Sequence, residues 1–213
     1  MAKKIYLFSG LGADERVFQK MDFSGFSVIY IKWIMPEKEE TIENYANKLL
    51  IQIDTEKPIL VGLSFGGVIA IEVAKQIETE KVIILASAKT CNEIPFYFRW
   101  AGKIKLYKLL PTITLTKANF ITYWLFGTTS KNEKYILNEI LKDTDPRFLI
   151  WAIDKIANWT NKTSPENVIH IHGTADRILP IGFINCNFRI DQGGHFMTLN
   201  KAVELIKILR NII

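Results

Sequence analysis

Five consecutive residues, Gly62-Leu63-Ser64-Phe65-Gly66, put a serine between the apolar run Ile59-Leu60-Val61 and a second one, Gly67-Val68-Ile69-Ala70-Ile71. A serine held where a strand turns sharply into a helix can attack a carbonyl carbon, and glycines two residues to either side leave room for so tight a backbone. At neutral pH the hydroxyl is a poor nucleophile unless an imidazole takes its proton and a carboxylate orients that imidazole. The chain has three histidines. His170 and His172 share one face of an apolar run, where structural histidines sit. That leaves His195, in the loop Gln192-Gly193-Gly194-His195-Phe196 just before the last helical stretch. The leading carboxylate is Asp176, in the loop His172-Gly173-Thr174-Ala175-Asp176 that follows the run 167–171. Glu93, after the preceding strand, and Asp191, four residues before His195, remain as rivals. Attack would create an oxyanion, and two backbone amides are candidate donors for it. One belongs to Phe65 at the start of a helix, where the dipole also favours negative charge. The other belongs to Leu11 in the turn Ser9-Gly10-Leu11-Gly12-Ala13-Asp14.

These residues need a frame that carries them to one place. Short β-branched runs at Ile5–Ser9, Ser27–Lys32, Pro58–Leu63, Lys81–Ala86 and Asn167–Ile171 alternate with longer amphipathic ones, which predicts an α/β fold around a mostly parallel sheet of about six strands. Ile42, Tyr45, Ala46, Leu49, Leu50 and Ile53 recur at helical spacing and predict a helix crossing one face of that sheet. Leu199–Ile213 predicts another, with Val203, Leu205, Ile206 and Leu209 turned toward the sheet.

The alternation breaks between Cys91 and Glu166, too long a span for a simple crossover. Residues 1–90 and 166–213 therefore read as the core, and 91–165 as an inserted helical cap after the fourth strand. Ser130 and Glu133 form a capping box, Asp145-Pro146 opens a helix, and Gly127 closes the segment Thr116–Phe126. Rings crowd this stretch, among them Phe96, Trp100, Phe120, Trp124, Phe126, Phe148, Trp151 and Trp159. Their number suggests a lid over a pocket, although most could simply hold a small helical unit together.

Composition narrows the function classes. With 213 residues, 48% hydrophobic, the chain can bury one sizeable core. Its net charge of +5 comes from 27 basic and 22 acidic residues without like-charge blocks, so no nucleic-acid partner is expected. Cys91 and Cys186 suit neither a disulfide framework nor a metal site, and no metal is expected. The N-terminus lacks a signal-peptide core and no run reaches spanning length, so the expectation is a cytoplasmic protein without stable membrane insertion. Arg99, Lys103, Lys105 and Lys108, interleaved with Trp100, Ile104 and Leu106, read as a solvated basic helix face before they read as a membrane contact. Oligomeric state has no sequence signal.

Taken in order along the chain, the glycine turn after the first strand, the Gly62–Gly66 pentapeptide, the Asp176 loop and the Gly193-Gly194-His195 loop resemble the α/β-hydrolases, in particular small esterase- and lipase-like serine hydrolases. The resemblance covers the core and not the insertion. It implies a Ser64-His195-Asp176 triad, an oxyanion hole at Leu11 and Phe65, no cofactor, and a small-molecule ester or thioester substrate. It departs from the family in having Ser9-Gly10 where many relatives have His-Gly, and in starting almost at the strand that feeds the oxyanion loop. A ligand-binding protein on the same fold, or an acyltransferase using the same triad, are the alternatives.

Overall fold

The computed structural model describes residues 2–109 and 116–213, with 108 and 109 described by backbone alone, so the side chain of Lys108 lies outside the described residues. Six strands form one sheet: β1 (Lys3–Phe8), β2 (Phe26–Tyr30), β3 (Ile59–Leu63), β4 (Lys81–Leu85), β5 (Val168–Gly173) and β6 (Phe188–Ile190). Their order is β2-β1-β3-β4-β5-β6, and every pair is parallel. A sheet of this kind must be covered on both sides, and the alternation of side chains along each strand supplies two apolar faces. Ile5 and Leu7 enter one buried cluster while Tyr6 and Phe8 enter the other.

On the Tyr6 side lie α1 (Ile42–Leu49) and α2 (Phe65–Ala74). Thr41 caps α1 by accepting from the Asn44 amide at 3.2 Å, and Ile42, Tyr45, Ala46 and Leu49 form its buried stripe. The helix α2 is buried from Phe65 to Val73 on every side, which explains its lack of a polar face. On the Ile5 side lie a 3-10 turn at Glu15–Phe18 and the C-terminal helices.

Between β4 and β5 run α3 (Phe96–Lys103), α4 (Phe120–Phe126), α5 (Lys131–Asp143) and α6 (Pro146–Ala157). The Ser130–Glu133 capping box is present, Asp145 accepts from the Arg147 amide ahead of Pro146, and Gly127 ends α4 in the left-handed region at φ 70°. These helices share the core of the sheet: Ile136, Leu137 and Ile140 of α5 join the Ile5 cluster, and Phe148, Trp151 and Ala152 of α6 join the Tyr6 cluster. Other rings stay in solvent, with Phe120 81%, Phe96 70% and Trp100 62% exposed.

At the C-terminus the expected single helix is two, α7 (Met197–Asn200) and α8 (Ala202–Ile212), broken at Lys201. The buried stripe of α8 is Ala202, Leu205, Ile206 and Leu209, and Val203, expected to face the sheet, is 82% exposed.

Candidate active site

All six strands point the same way, so the loops after their C-terminal ends gather along one edge. Register fixes which loops meet. Phe8 pairs with Gly62 and Leu63 with Leu85, which sets Ser64 between the turn that follows β1 and the turn that follows β4. The Ser64 backbone has φ 53° and ψ −120°, a conformation that L side chains rarely adopt. Hydrogen bonds pin it: the Ser64 amide donates to the Leu85 carbonyl at 2.9 Å, and the Ser87 hydroxyl donates to the Ser64 carbonyl at 2.7 Å. Close packing requires the glycines. A Cβ on Gly62 would stand 2.4 Å from the Gly66 carbonyl oxygen, and one on Gly66 would stand 2.2 Å from that of Ser9. No side chain can occupy such distances without displacing backbone.

Although Ser64 precedes α2, its side chain makes no capping bond to the helix. Its Oγ is instead 2.8 Å from His195 Nε2. His195 Nδ1 is 2.8 Å from Asp176 Oδ2, and Asp176 Oδ1 accepts from the amides of Ile178 and Leu179, both at 2.9 Å. Since a carboxylate accepts, Nδ1 carries the ring proton and Nε2 keeps a lone pair toward the serine hydroxyl. Burial alone would push the Asp176 carboxyl up; the adjacent His195 imidazole, its hydrogen bond, His172 and the Leu179 amide together hold it below the usual carboxylate range. Asp176 and His195 are each 4% exposed.

Ser64 and His195 are 131 residues apart in the chain, and their meeting depends on backbone packed against backbone. The Ala175 amide donates to the Gly193 carbonyl at 2.9 Å, and a Cβ on Gly173 would lie 2.1 Å from that same oxygen. The acid loop and the histidine loop are thereby fastened to each other. Of the rival carboxylates, Asp191 is exposed and meets the Thr174 hydroxyl at 3.4 Å. Glu93 is buried, accepts from the Lys89 and Asn185 amides, and lies 3.8 Å from His170.

The turn after β1 lies beside the serine, since a Cβ on Gly10 would stand 3.9 Å from Ser64 Cβ. Among the described residues the amides of Leu11 and Phe65 donate to no acceptor, as expected of groups available to a ligand oxygen. No His, Cys, Asp or Glu cluster among the described residues is arranged to hold a metal ion.

Several neighbours could not be placed from the sequence, which marks Trp124 and Phe126 only as rings of the expected lid. The Phe126 ring meets the His195 imidazole edge-on at 5.6 Å, and the Phe196 amide donates to the Phe126 carbonyl at 3.1 Å. Arg177 stacks over Trp124 at 4.8 Å and donates to its carbonyl at 2.6 Å. At the other end of the insertion, the Thr144 hydroxyl lies 2.9 Å from the Gly12 carbonyl in the turn after β1. The insertion thus touches all three loops that frame Ser64. A groove of about 490 Å³, lined by residues including Trp124, Lys134, Arg177 and Gly194, lies beside the acid and histidine loops, but Ser64 does not line it. The hydrogen-bonded row of Ser64, His195 and Asp176 lies outside the lining of that groove.

No family model matches the chain, and no curated protein matches it. Solved structures do. Est816, described as an N-acyl homoserine lactone degrading enzyme, matches at a TM-score of 0.71 and 15% identity over 100% of this chain and 94% of its own. A lipase-esterase related protein from Clostridium acetobutylicum matches at 0.70 and 15% over 100% of this chain and 95% of its own. A bromoperoxidase from Bacillus anthracis matches at 0.67 and 16% over 100% and 92%. The chain has the α/β-hydrolase fold. Because structures with different named activities share this fold, the reaction must be argued from the site.

Proposed function

We propose that the protein is a serine hydrolase that cleaves a carboxylic ester or thioester of a small, largely apolar molecule through an acyl-enzyme. The observation that carries this reading is the unbroken line from Ser64 Oγ through His195 to Asp176, both links 2.8 Å long, with the serine in a strained turn. A hydroxyl needed only for structure would cap its helix; this one faces a ring nitrogen with a lone pair.

Ser64 Oγ attacks the carbonyl carbon while its proton passes to His195 Nε2. Asp176 stabilises the resulting imidazolium, and the amides of Phe65 and Leu11 receive the oxyanion. Collapse of the tetrahedral intermediate breaks the bond to the alcohol or thiol, which leaves with the proton from His195, and the acyl group stays on Ser64. Water then gives a proton to His195 and attacks the acyl carbon; the acid departs and Ser64 recovers its proton. Apolar surroundings support an apolar substrate, since Leu11 and Trp33 pack against the cluster containing Phe65 and Phe148. Two of the similar structures are those of a lactone degrading enzyme and a lipase-esterase related protein, which favours esters over other acyl compounds.

The described helices of residues 91–165 would then act as a cap, which the contacts of this segment with the Gly12, Arg177 and His195 loops support. Among the described residues no helix is long and apolar enough to cross a membrane.

A series of p-nitrophenyl esters graded by acyl length tests the chemistry. Wild type should hydrolyse short or medium members and be labelled by a fluorophosphonate. Ser64→Ala should lose labelling and at least ~10⁴-fold in kcat. Turnover retained by purified Ser64→Ala would end the assignment, and transfer of the acyl group to added alcohols in preference to water would recast it as an acyltransferase.

A further inference from the structure

The proposed reaction leaves two wholly buried histidines without a task. His170 and His172 occupy alternate positions on β5, both 0% exposed, with their rings edge to face at 5.2 Å. Hydrogen-bond logic assigns the proton on each ring. His172 Nε2 is 2.8 Å from the Leu179 carbonyl, which can only accept, so Nε2 carries hydrogen and Nδ1 a lone pair. His170 Nε2, at 3.2 Å, must donate to that lone pair. His170 Nδ1 is left without a hydrogen bond among the described residues, and its nearest charged neighbour is Glu93 Oε2 at 3.8 Å. The groups facing this row are Lys89 beside Glu93 on one end and Asp176, with His195 beyond it, on the other.

The row ends on the acid. Leu179, whose carbonyl takes the His172 proton, gives its own amide to Asp176 Oδ1 at 2.9 Å. His172 Nε2 also lies 3.5 Å from Asp176 Oδ2, the oxygen that meets His195 Nδ1. Both carboxylate oxygens are therefore located by groups that His172 holds or touches. Charge states agree with this arrangement: burial lowers both imidazoles, His170 to about 2, so the two rings stay neutral and directional.

We propose that His172 is a positioning residue for Asp176: held by His170 at its Nδ1, its Nε2–H anchors the Leu179 turn and so fixes the plane in which the carboxylate meets His195. This rests on the serine-hydrolase reading for its kinetic consequence, but its geometric content stands without it. Two amide substitutions separate the ends of the ring. In His172→Asn the side chain can still meet His170 but is too short to reach Leu179; in His172→Gln the amide reaches Leu179 as Nε2 does.

His172→Asn should lower kcat roughly 10- to 100-fold with KM unchanged, the cost of a small displacement at a reacting centre. Its kcat/KM profile should move its acid limb to lower pH, because a displaced carboxylate stabilises the imidazolium less. His172→Gln should keep the wild-type kcat and limb. Proton NMR of the resting protein, with only three histidine rings to assign, gives a readout independent of turnover. The His195 Nδ1–H resonance should shift or broaden in His172→Asn and persist in His172→Gln. Equal behaviour of the two variants, or a fall in Tm with the resonance and limb unmoved, would overturn the proposal and leave His172 as filler. If His172→Asn does not fold, a folded His172→Gln with a displaced resonance would overturn it equally. If wild type hydrolyses no ester, the reading of function fails while the resonance still decides the positioning role.

Discussion

Asp176 shows how one carboxylate can accept from two sets of donors at once. Its Oδ2 faces His195, and its Oδ1 is occupied by two amides of its own loop, so the carboxylate cannot rotate without losing bonds on both sides. Asp176→Asn would retain the shape but offer an N–H or a weaker acceptor to Nδ1, favouring the wrong tautomer. A fall in kcat of about 10³- to 10⁴-fold, with KM nearly unchanged, is expected from steady-state kinetics. At this scale the sequence was informative where backbone chemistry is unusual. Ser64, Asp176 and His195 sit beside glycines, and the structure brings those three within hydrogen-bonding distance. Ser87 and Thr144 were not legible, because each reaches the site by packing across more than twenty residues of chain, and an ordinary serine or threonine in a turn announces nothing; Phe126 was legible as a lid ring but not as the neighbour of His195.

Elements were legible in proportion to their length and burial. The apolar runs of β1, β3 and β4 and the stripe of helix α1 stand out in the sequence, whereas β6 has three residues of which only Ile190 is buried, leaving no alternation to detect. The break at Lys201 escaped for a related reason: Val203 suits a helical stripe drawn from Leu199, but restarting the helix at Ala202 rotates it into solvent. The junction from β3 to α2 is the most constrained element. Gly66→Ala would force a methyl against the carbonyls of Ser9 and Phe8, at 2.2 and 2.3 Å. Relief requires the two adjacent segments to part, so a loss of about 1–3 kcal/mol in urea unfolding is expected, accompanied by loss of ester hydrolysis. In α5, Ser130→Ala removes one half of a capping box and should cost about 1 kcal/mol. That loss belongs to the insertion, and hydrogen exchange should register it first in residues 131–134.

For the molecule as a whole, the buried histidines set a pH limit on stability. Burial keeps the His170 imidazole unprotonated down to about pH 2 and lowers His172 as well. In the unfolded chain both would take up a proton near pH ~6.5. Below that value the unfolded state binds more protons than the native one, so stability is complete above ~6.5 and declines as pH falls, by up to ~1.4 kcal/mol per unit for each ring. Glu93, pushed up by burial, acts in the opposite sense within the carboxylate range, and the depressed Asp176 adds a further loss only once carboxylates protonate. Urea midpoints should therefore hold level from pH 7.5 to about 6.5 and fall from there to pH 5, and a series flat throughout would mean that the two rings are charged or accessible in the native state. Core substitutions should act independently of this: Leu205→Ala, at a fully buried position of α8, is expected to cost 2–5 kcal/mol, roughly, at any pH in that range.

One backbone contact beside His195 carries a mechanical consequence. Gly127, at the end of α4, presses so closely on Gly194 that a Cβ on the former would lie 3.1 Å from the Cα of the latter, and the adjoining Phe196 amide is tied to the Phe126 carbonyl. The end of this helix and the loop bearing the imidazole are thus joined, so a displacement of α4 would be felt at His195.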